Sequence, residues 1–401
     1  MCVIAISIVR GHASTLFRYN MAKYLSLFIL LLLLPDLYIW FFHTRALPSV
    51  WSTLWVVLPT VVTLACIAYS LLCPGASLAF NAFFALLICV AVPKLMFVVV
   101  DLVGLGLGNV WPAFRLWGTR LALVAAALMM AVQLYGTFFG WKQLRVNKMR
   151  MMVNGLPSAF DGYRVVHLSD LHVGTYAKDD SFLRRMVDSV NACHPDLIVF
   201  TGDLVNATSA ELPPYLDALS GLKAKDGVVS VLGNHDYCIY GTLPLDKRRK
   251  EVRNIIEMQH SLGWKVLLNE HLTLRRGDDS LVVAGVENVS RPPRPQLGRL
   301  DKAMHGVSET TCTILLSHDP WHWKNGVLGH YPNIALTLSG HTHALQMQVG
   351  SFSPAQWISS EWGGLYKHGK QRIYVSTGIG GAVLYRLGAW PCIESYTLRR
   401  E

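Results

Sequence analysis

The chain has 401 residues, more than one average domain needs and enough for two. Hydrophobic residues make up 52% and charged residues 15%, against about a quarter charged in ordinary soluble domains. The apolar excess lies before residue 141, which excludes a uniformly soluble chain, and the net charge of +10 gathers largely beside it, where anionic lipid is a simpler partner than nucleic acid. The arginine-rich, aromatic-interleaved stripe of a nucleic-acid binder is missing, so no nucleic-acid partner is expected.

Four apolar stretches come first, at residues 24–42, 50–72, 78–100 and 121–140. Each is long enough to span ~30 Å as a helix, so four transmembrane helices are expected. Pro35 and Asp36 interrupt the first. Arg10, Arg18 and Lys23 precede it, and Lys142, Arg145, Lys148 and Arg150 follow the fourth, which puts both ends on the cytoplasmic side. Lys94 and Asp101 near the end of the third stretch read as residues close to the interface, with a polar path through the bundle as the alternative. The eight cysteines form no C-x-x-C and suit reduced thiols.

Beyond a basic segment, WKQLRVNKMRMMVNGLP, the apolar runs become short. YRVVHLSD reads as a strand, SFLRRMVDSVNACH as an amphipathic helix, and DLIVFTGD as a second strand. GVVSVLGNHD is a third strand, and PLDKRRKEVRNIIEMQHSLG a helix stopped at Gly263. WKVLLN, HLTLRR, SLVVAGV, TCTILLSHD, IALTLSGH, RIYVSTG and IESYTLRR continue as strands. The pattern predicts two packed sheets with helices outside.

The strand ends carry the chemistry. They deliver Asp170 and His172, then Asp203, then Asn234-His235-Asp236, then His318, then His341 and His343. Strand ends at one edge converge, and ligands bind in the crevice beyond them. Taken singly, Asp170 reads as a cap, Gly202-Asp203 as a turn and His318 as a core histidine. Together they form an oxygen–nitrogen ligand set without thiolate, suited to Mn, Fe or Zn. Seven such groups exceed one tetrahedral ion and suit two ions about 3.5–4 Å apart sharing a carboxylate. His167 falls on the opposite face from Asp170 and reads as a core histidine. Arg291 and Arg294 read as a solvated loop able to meet a diphosphate. In HDPWHW, Trp321, His322 and Trp323 read as the packed start of a helix, with the crevice wall as the alternative.

D-x-H, GD, GNHD, H and GHTH in this order resemble the calcineurin-like metallophosphoesterase superfamily, from about Tyr163 onward. Within it the chain looks most like the membrane-associated branch of YkuE- and YaeI-type phosphodiesterases. The resemblance implies that Asp170, His172 and His343 bind one metal ion, that Asn234, His318 and His341 bind a second, and that Asp203 bridges both. It implies a metal-bridging hydroxide as nucleophile. His235 then protonates the leaving oxygen, and Asp236 orients His235 or its loop. The architecture implied is an N-terminal four-helix transmembrane region (1–141), a basic linker (142–160) and an α/β metallophosphoesterase domain (161–401) of two packed mixed β-sheets flanked by helices, αββα.

The expected function is membrane-anchored hydrolysis of a phosphodiester or pyrophosphate, in a lipid or lipid-linked nucleotide, by two divalent ions (Mn, Fe or Zn), with the catalytic domain cytoplasmic. UDP-diacylglucosamine is one candidate, although soluble enzymes for that step carry arginine where this chain has His235. A phosphomonoesterase or protein phosphatase, or a membrane receptor with a regulatory metal domain, are the alternatives. Many members of the superfamily continue GHTHGGQ; here His343 is followed by Ala344-Leu345-Gln346.

Overall fold

The structure is a computed structural model that describes residues 29–47, 49–72, 77–240, 243–292, 294 and 296–401. The chain divides into two compact units, Met1–Leu134 and Tyr135–Glu401.

In the first unit, α1 (Ile29–Thr44) is a short apolar helix. It is followed by α2 (Val50–Leu72), α3 (Asn81–Gly108) and α4 (Ala113–Phe138). Among the described residues three helices are long and apolar enough to cross a membrane, against the four expected. The first expected stretch begins outside the described residues, and its described part is too short for that test. Gly104 and Gly118 sit where each leaves no room for a Cβ on the other, so α3 and α4 cross closely.

Lys94 and Asp101 both find partners inside the helical unit. Lys94 Nζ donates to Asp36 Oδ1 at 2.6 Å, to the Val56 carbonyl and to Thr60 Oγ1 at 3.2 Å. Asp101 is fully buried and receives Tyr38 Oη at 2.7 Å, His43 Nε2 at 2.8 Å and Thr119 Oγ1 at 2.6 Å. Each charge lies among partners on other helices because a lone charge in apolar surroundings costs several kcal/mol.

The second unit holds two six-stranded sheets. The first contains β1 (Arg145–Val153), β2 (Arg164–Leu168), β3 (Leu197–Phe200), β4 (Val228–Ser230) and β5 (Lys265–Val266). The second contains β6 (Glu270–Arg276), β7 (Asp279–Gly285), β8 (Thr313–Leu316), β9 (Ile334–Ser339), β10 (Gly364–His368) and β11 (Gln371–Val375). The last strand, β12 (Cys392–Arg400), returns to the first sheet, giving the orders β1-β12-β2-β3-β4-β5 and β10-β11-β9-β8-β7-β6. Both sheets are mixed: β2-β3-β4-β5 and β7-β8-β9-β11 run parallel, while β2 pairs antiparallel with β12, β6 with β7 and β10 with β11.

Alternation along the strands builds the layers. Val165, Leu197 and Val199 face Val283, Ile314 and Leu338 between the sheets. Val166, Ile198 and Phe200 face outward onto α5 (Ser181–Asn191) through Leu183, Met186 and Val190. Val282, Leu315 and Ile373 cover the far side with Trp323 and Val327. The central strands β3, β8 and β9 are buried on both faces, which is why they read as unbroken apolar runs.

Where a basic linker is expected at 142–160, the structure has β1, in parallel register with β12. Met151 and Val153 are buried, and Asn147 Nδ2 donates to Tyr374 Oη at 3.0 Å and Glu394 Oε2 at 2.9 Å. Arg145 and Lys148 remain in solvent, as charges on an edge strand do.

Candidate metal centre

β2, β3, β4, β8 and β9 end at a common edge, and the turns leaving them are tied together by backbone bonds. Asp170 N–H donates to Gly202 O at 2.9 Å, His172 N–H to Asp203 O at 3.1 Å, and Gly340 N–H to His318 O at 2.9 Å. His341 N–H reaches the Asp170 carboxylate at 3.1 Å and so joins one sheet to the other. Such approach demands glycine. A Cβ on Gly340 would collide with the Ser169 side chain and the Asp170 carboxylate, and one on Gly233 with Asp203.

The seven side chains expected as ligands all meet here. His172 Nε2 lies 3.3 Å from His343 Nε2 and 3.6 Å from Asp203 Oδ2, and His343 Nε2 lies 3.3 Å from Asp170 Oδ1. On the other side of Asp203, His318 Nε2 is 3.1 Å from Asp203 Oδ2, 3.0 Å from Asn234 Oδ1 and 3.2 Å from His341 Nδ1. The groups thus fall into two clusters, Asp170-His172-Asp203-His343 and Asp203-His318-His341, with Asp203 in both. Asp170, His172, Asp203, His341 and His343 all have positive φ, between 48° and 73°. Non-glycine residues rarely hold that conformation, and it concentrates at functional sites.

Hydrogen bonding shows what the cluster lacks. His318 Nδ1–H donates to the Thr201 carbonyl at 2.8 Å, leaving the Nε2 lone pair aimed at two oxygens. Asn234 Nδ2 donates to Tyr240 Oη at 2.8 Å, so Asn234 Oδ1 is the atom turned inward. Lone pairs facing lone pairs at such distances need a cation among them. In a chain without metal a proton stands in. Burial disfavours a charged His318, but the adjacent Asp203 prevails and pushes the imidazole up to about 10. Burial would raise Asp203, yet His318 and His235 hold it well below the ordinary carboxylate range. Burial keeps His172 well below its ordinary value and His343 down to about 4, leaving both neutral as metal ligation requires. The donor set therefore fits divalent metal.

His235 lies in the wall of a cavity of about 810 Å³ that opens onto this cluster. Its Nδ1–H donates to the Asn206 carbonyl at 2.7 Å, which leaves Nε2 free. Its ring meets His172 edge-on at 4.6 Å and stacks on Tyr240 at 4.3 Å. Glu211 in turn braces the Asn206 loop, accepting N–H from Asn206 at 2.6 Å, Ala207 at 2.9 Å and Thr208 at 3.1 Å. Asp236 does not touch the His235 ring. Its carboxylate is fully buried and accepts main-chain N–H from Asp203, Leu204 and Gly233 at 2.8–2.9 Å, holding the local loops.

Other expectations divide. His167 is a buried histidine between Tyr396 Oη and Thr201 Oγ1, held down to about 3 by burial. His322 is buried against Ser317 Oγ and Trp323 lies in the core, whereas Trp321 lines the cavity. Arg291 and Arg294 are exposed, as a solvated loop predicts, and also line the cavity; Arg294 Nη1 is 3.3 Å from His341 Nε2. Tyr240 and the buried Arg386, which holds the Thr377, Gly380 and Ala389 carbonyls, were not anticipated. Tyr240 follows GNHD by four residues, the one signal that pointed to it. Ala344, Leu345 and Gln346 all have positive φ, so the positions where many superfamily members carry glycine keep a glycine-like backbone here.

Comparison with known proteins agrees with this arrangement. Residues 163–345 match the family described as "Calcineurin-like phosphoesterase", and residues 21–141 match "Probable Calcineurin-like phosphoesterase, transmembrane domain". A "Transmembrane protein with metallophosphoesterase domain" from Danio rerio is 30% identical over 65% of this chain and 58% of its own length, so the chain spans less than two thirds of that relative. The "Uncharacterized metallophosphoesterase YkuE" of Bacillus subtilis is 31% identical over 61% of this chain and 82% of its own length. The "UDP-2,3-diacylglucosamine pyrophosphatase LpxG" of Chlamydia muridarum is 26% identical over 56% of this chain and 81% of its own length.

Proposed function

Because the chain belongs to the calcineurin-like phosphoesterase family, we propose that it is a membrane-anchored hydrolase of phosphodiester or pyrophosphate bonds working with two divalent ions. Asp170, His172 and His343 hold one ion, Asn234, His318 and His341 the other, and Asp203 both. When bound, the ions supply Lewis acidity that activates water and neutralises charge on the phosphoryl oxygens. The observation that carries this reading is the split of six inward-facing donors into two clusters sharing Asp203, with Asn234 Oδ1 3.0 Å from His318.

The protein's own groups do the rest. His235, fixed through Nδ1 by Asn206, presents Nε2 to the cavity and, in its imidazolium form, hands the Nε2 proton to the leaving oxygen. Tyr240 keeps the His235 plane and the Asn234 amide in register. Asp236 sets the main chain that carries Asp203. Arg294, beside His341, binds a second anionic group and so favours a diester or pyrophosphate over a simple monoester. A lipid or lipid-linked nucleotide is the substrate class, supported by the candidate spans in the same chain and by the name of the LpxG relative. The basic residues after the last span support a cytoplasmic catalytic unit.

The test is a panel of bis-para-nitrophenyl phosphate, para-nitrophenyl phosphate and a lipid-linked nucleotide diphosphate on the detergent-solubilised chain with Mn²⁺. Diester or pyrophosphate turnover that falls at least about a hundredfold in His235→Ala supports the reading. Turnover of the monoester alone overturns the substrate class, and turnover indifferent to His235→Ala overturns the proton-donor role.

A further inference from the structure

Five large apolar side chains stand in water just after the last candidate ligand: Leu345, Val349, Phe352, Trp357 and Ile358. Val349, Trp357 and Ile358 are 74%, 75% and 68% exposed. Single exposed apolar residues need no explanation, but a cluster of them marks a contact surface.

The ridge is built. Val349 and Phe352 exchange backbone hydrogen bonds at 2.9 and 3.0 Å around a turn in which Gly350 has φ +59°. Ser353 Oγ donates to the Ala344 carbonyl at 2.7 Å and accepts Ala355 N–H at 3.1 Å. Gln348 N–H donates to Leu387 O at 2.8 Å and Leu387 N–H to Gln346 O at 2.9 Å, fixing the base. The Phe352 and Trp357 rings meet edge to face at 5.6 Å. This frame holds apolar side chains outward where none of the described residues covers them.

The ridge is also continuous with the site. Leu345, Ala355 and Ile358 line the same cavity as His235, together with Arg291, Arg294 and Lys324. Glu361, 3.9 Å from Lys324, and the buried Asp319 are acidic residues of the same lining. Apolar and cationic side chains thus adjoin the ligand cluster in one cavity wall. A membrane surface offers the matching pair, acyl chains beside anionic headgroups.

We propose that this ridge inserts into the surface of a lipid bilayer, so that the cavity takes its phosphoester from the membrane plane. Tryptophan and phenylalanine are residues of that interface, and the guanidinium and ammonium groups behind them meet the headgroup layer. The substrate class is then a lipid whose phosphodiester or pyrophosphate headgroup crosses the rim while its acyl part stays in the membrane. The purpose of the ridge rests on the hydrolase reading; its lipid contact does not.

The full chain is reconstituted in phosphatidylcholine vesicles containing a minority of phosphatidylglycerol and a phospholipid with a diazirine in its acyl chain. Irradiation and peptide mapping then locate the label. Label in residues 345–358 is expected, falling about tenfold in the Val349→Asp/Trp357→Asp variant and retained in Trp357→Phe. Both aspartate positions are about three-quarters exposed, so neither change opens a core. A ridge unlabelled while α2 to α4 are labelled overturns the proposal, as does equal label in the aspartate variant. Bis-para-nitrophenyl phosphate turnover in the same samples reads the other claim. Turnover with an unlabelled ridge sinks insertion alone, and a labelled ridge without turnover sinks the hydrolase reading alone.

Discussion

Buried charge is handled in opposite ways in the two units. Among the helices, Lys94 sits 2.6 Å from Asp36, and Asp101 is surrounded by Tyr38, His43 and Thr119. Lys94 and Asp36 offset each other's charge, and Asp101 takes three donors. At the sheet edge, Asp203 and Asn234 Oδ1 face His318 Nε2, while the Nδ1 proton of that ring goes to the Thr201 carbonyl. A self-neutralised cluster holds helices together; an unfinished one holds a place for a cation. The difference separates polar groups that maintain a fold from polar groups that await a ligand.

The sharpest way to break the comparison is to remove the shared carboxylate. Asp203→Asn should abolish bis-para-nitrophenyl phosphate hydrolysis while leaving the fold intact by circular dichroism, because the group removed serves ions and not packing. Among the helices the same kind of change should act on stability. Lys94→Met leaves Asp36 buried without its counter-charge and should cost about 3–5 kcal/mol, read as a fall in the detergent melting temperature. Adding Asp36→Leu should recover most of that loss, because the pair disappears together.

Acid should sharpen the contrast further. His167 and His322 are held by burial to about 3 and about 4, below the 6.5 of an exposed imidazole. The unfolded chain therefore binds protons that the native one refuses. Their contribution is complete above pH 6.5 and is lost as pH falls toward the folded values, roughly 2 kcal/mol per histidine between pH 6.5 and 5. Melting of the metal-free chain over that range checks it, and a melting temperature that rises on acidification contradicts it. The smallest effect belongs to Leu345, whose φ of 46° is strained for a branched side chain. Leu345→Gly should stabilise by about 0.5–1 kcal/mol, the relief of strain less the added freedom of the unfolded chain.

The convergence of the candidate ligands was legible because each is an aspartate, asparagine or histidine placed just after an apolar run, from Asp170 to His343. The layers were legible for the same reason: strands such as LIVF and IALTLS have no reading but a buried one. β1 was not, because RVNKMRMMV buries only Met151 and Val153 and shows charge elsewhere, so it looks like a linker until β12 pairs with it. The partners of Lys94 and Asp101 were not legible because Asp36 and His43 lie 58 residues away in sequence. That the exposed Arg291 and Arg294 also line the cavity was hidden, because His341 lies 47 residues from Arg294 in sequence. The left-handed backbone at Ala344 and Leu345 was hidden because neither residue advertises positive φ as glycine does.

The central claim is that the sheet edge holds two divalent ions on seven protein groups. Metal analysis of the purified full chain, made on the sample whose diester turnover is measured, tests it most directly. Two ions per chain, lost together with turnover on chelation and reduced in number by Asp203→Asn, is the predicted result. Full turnover from a chain stripped of metal would contradict it.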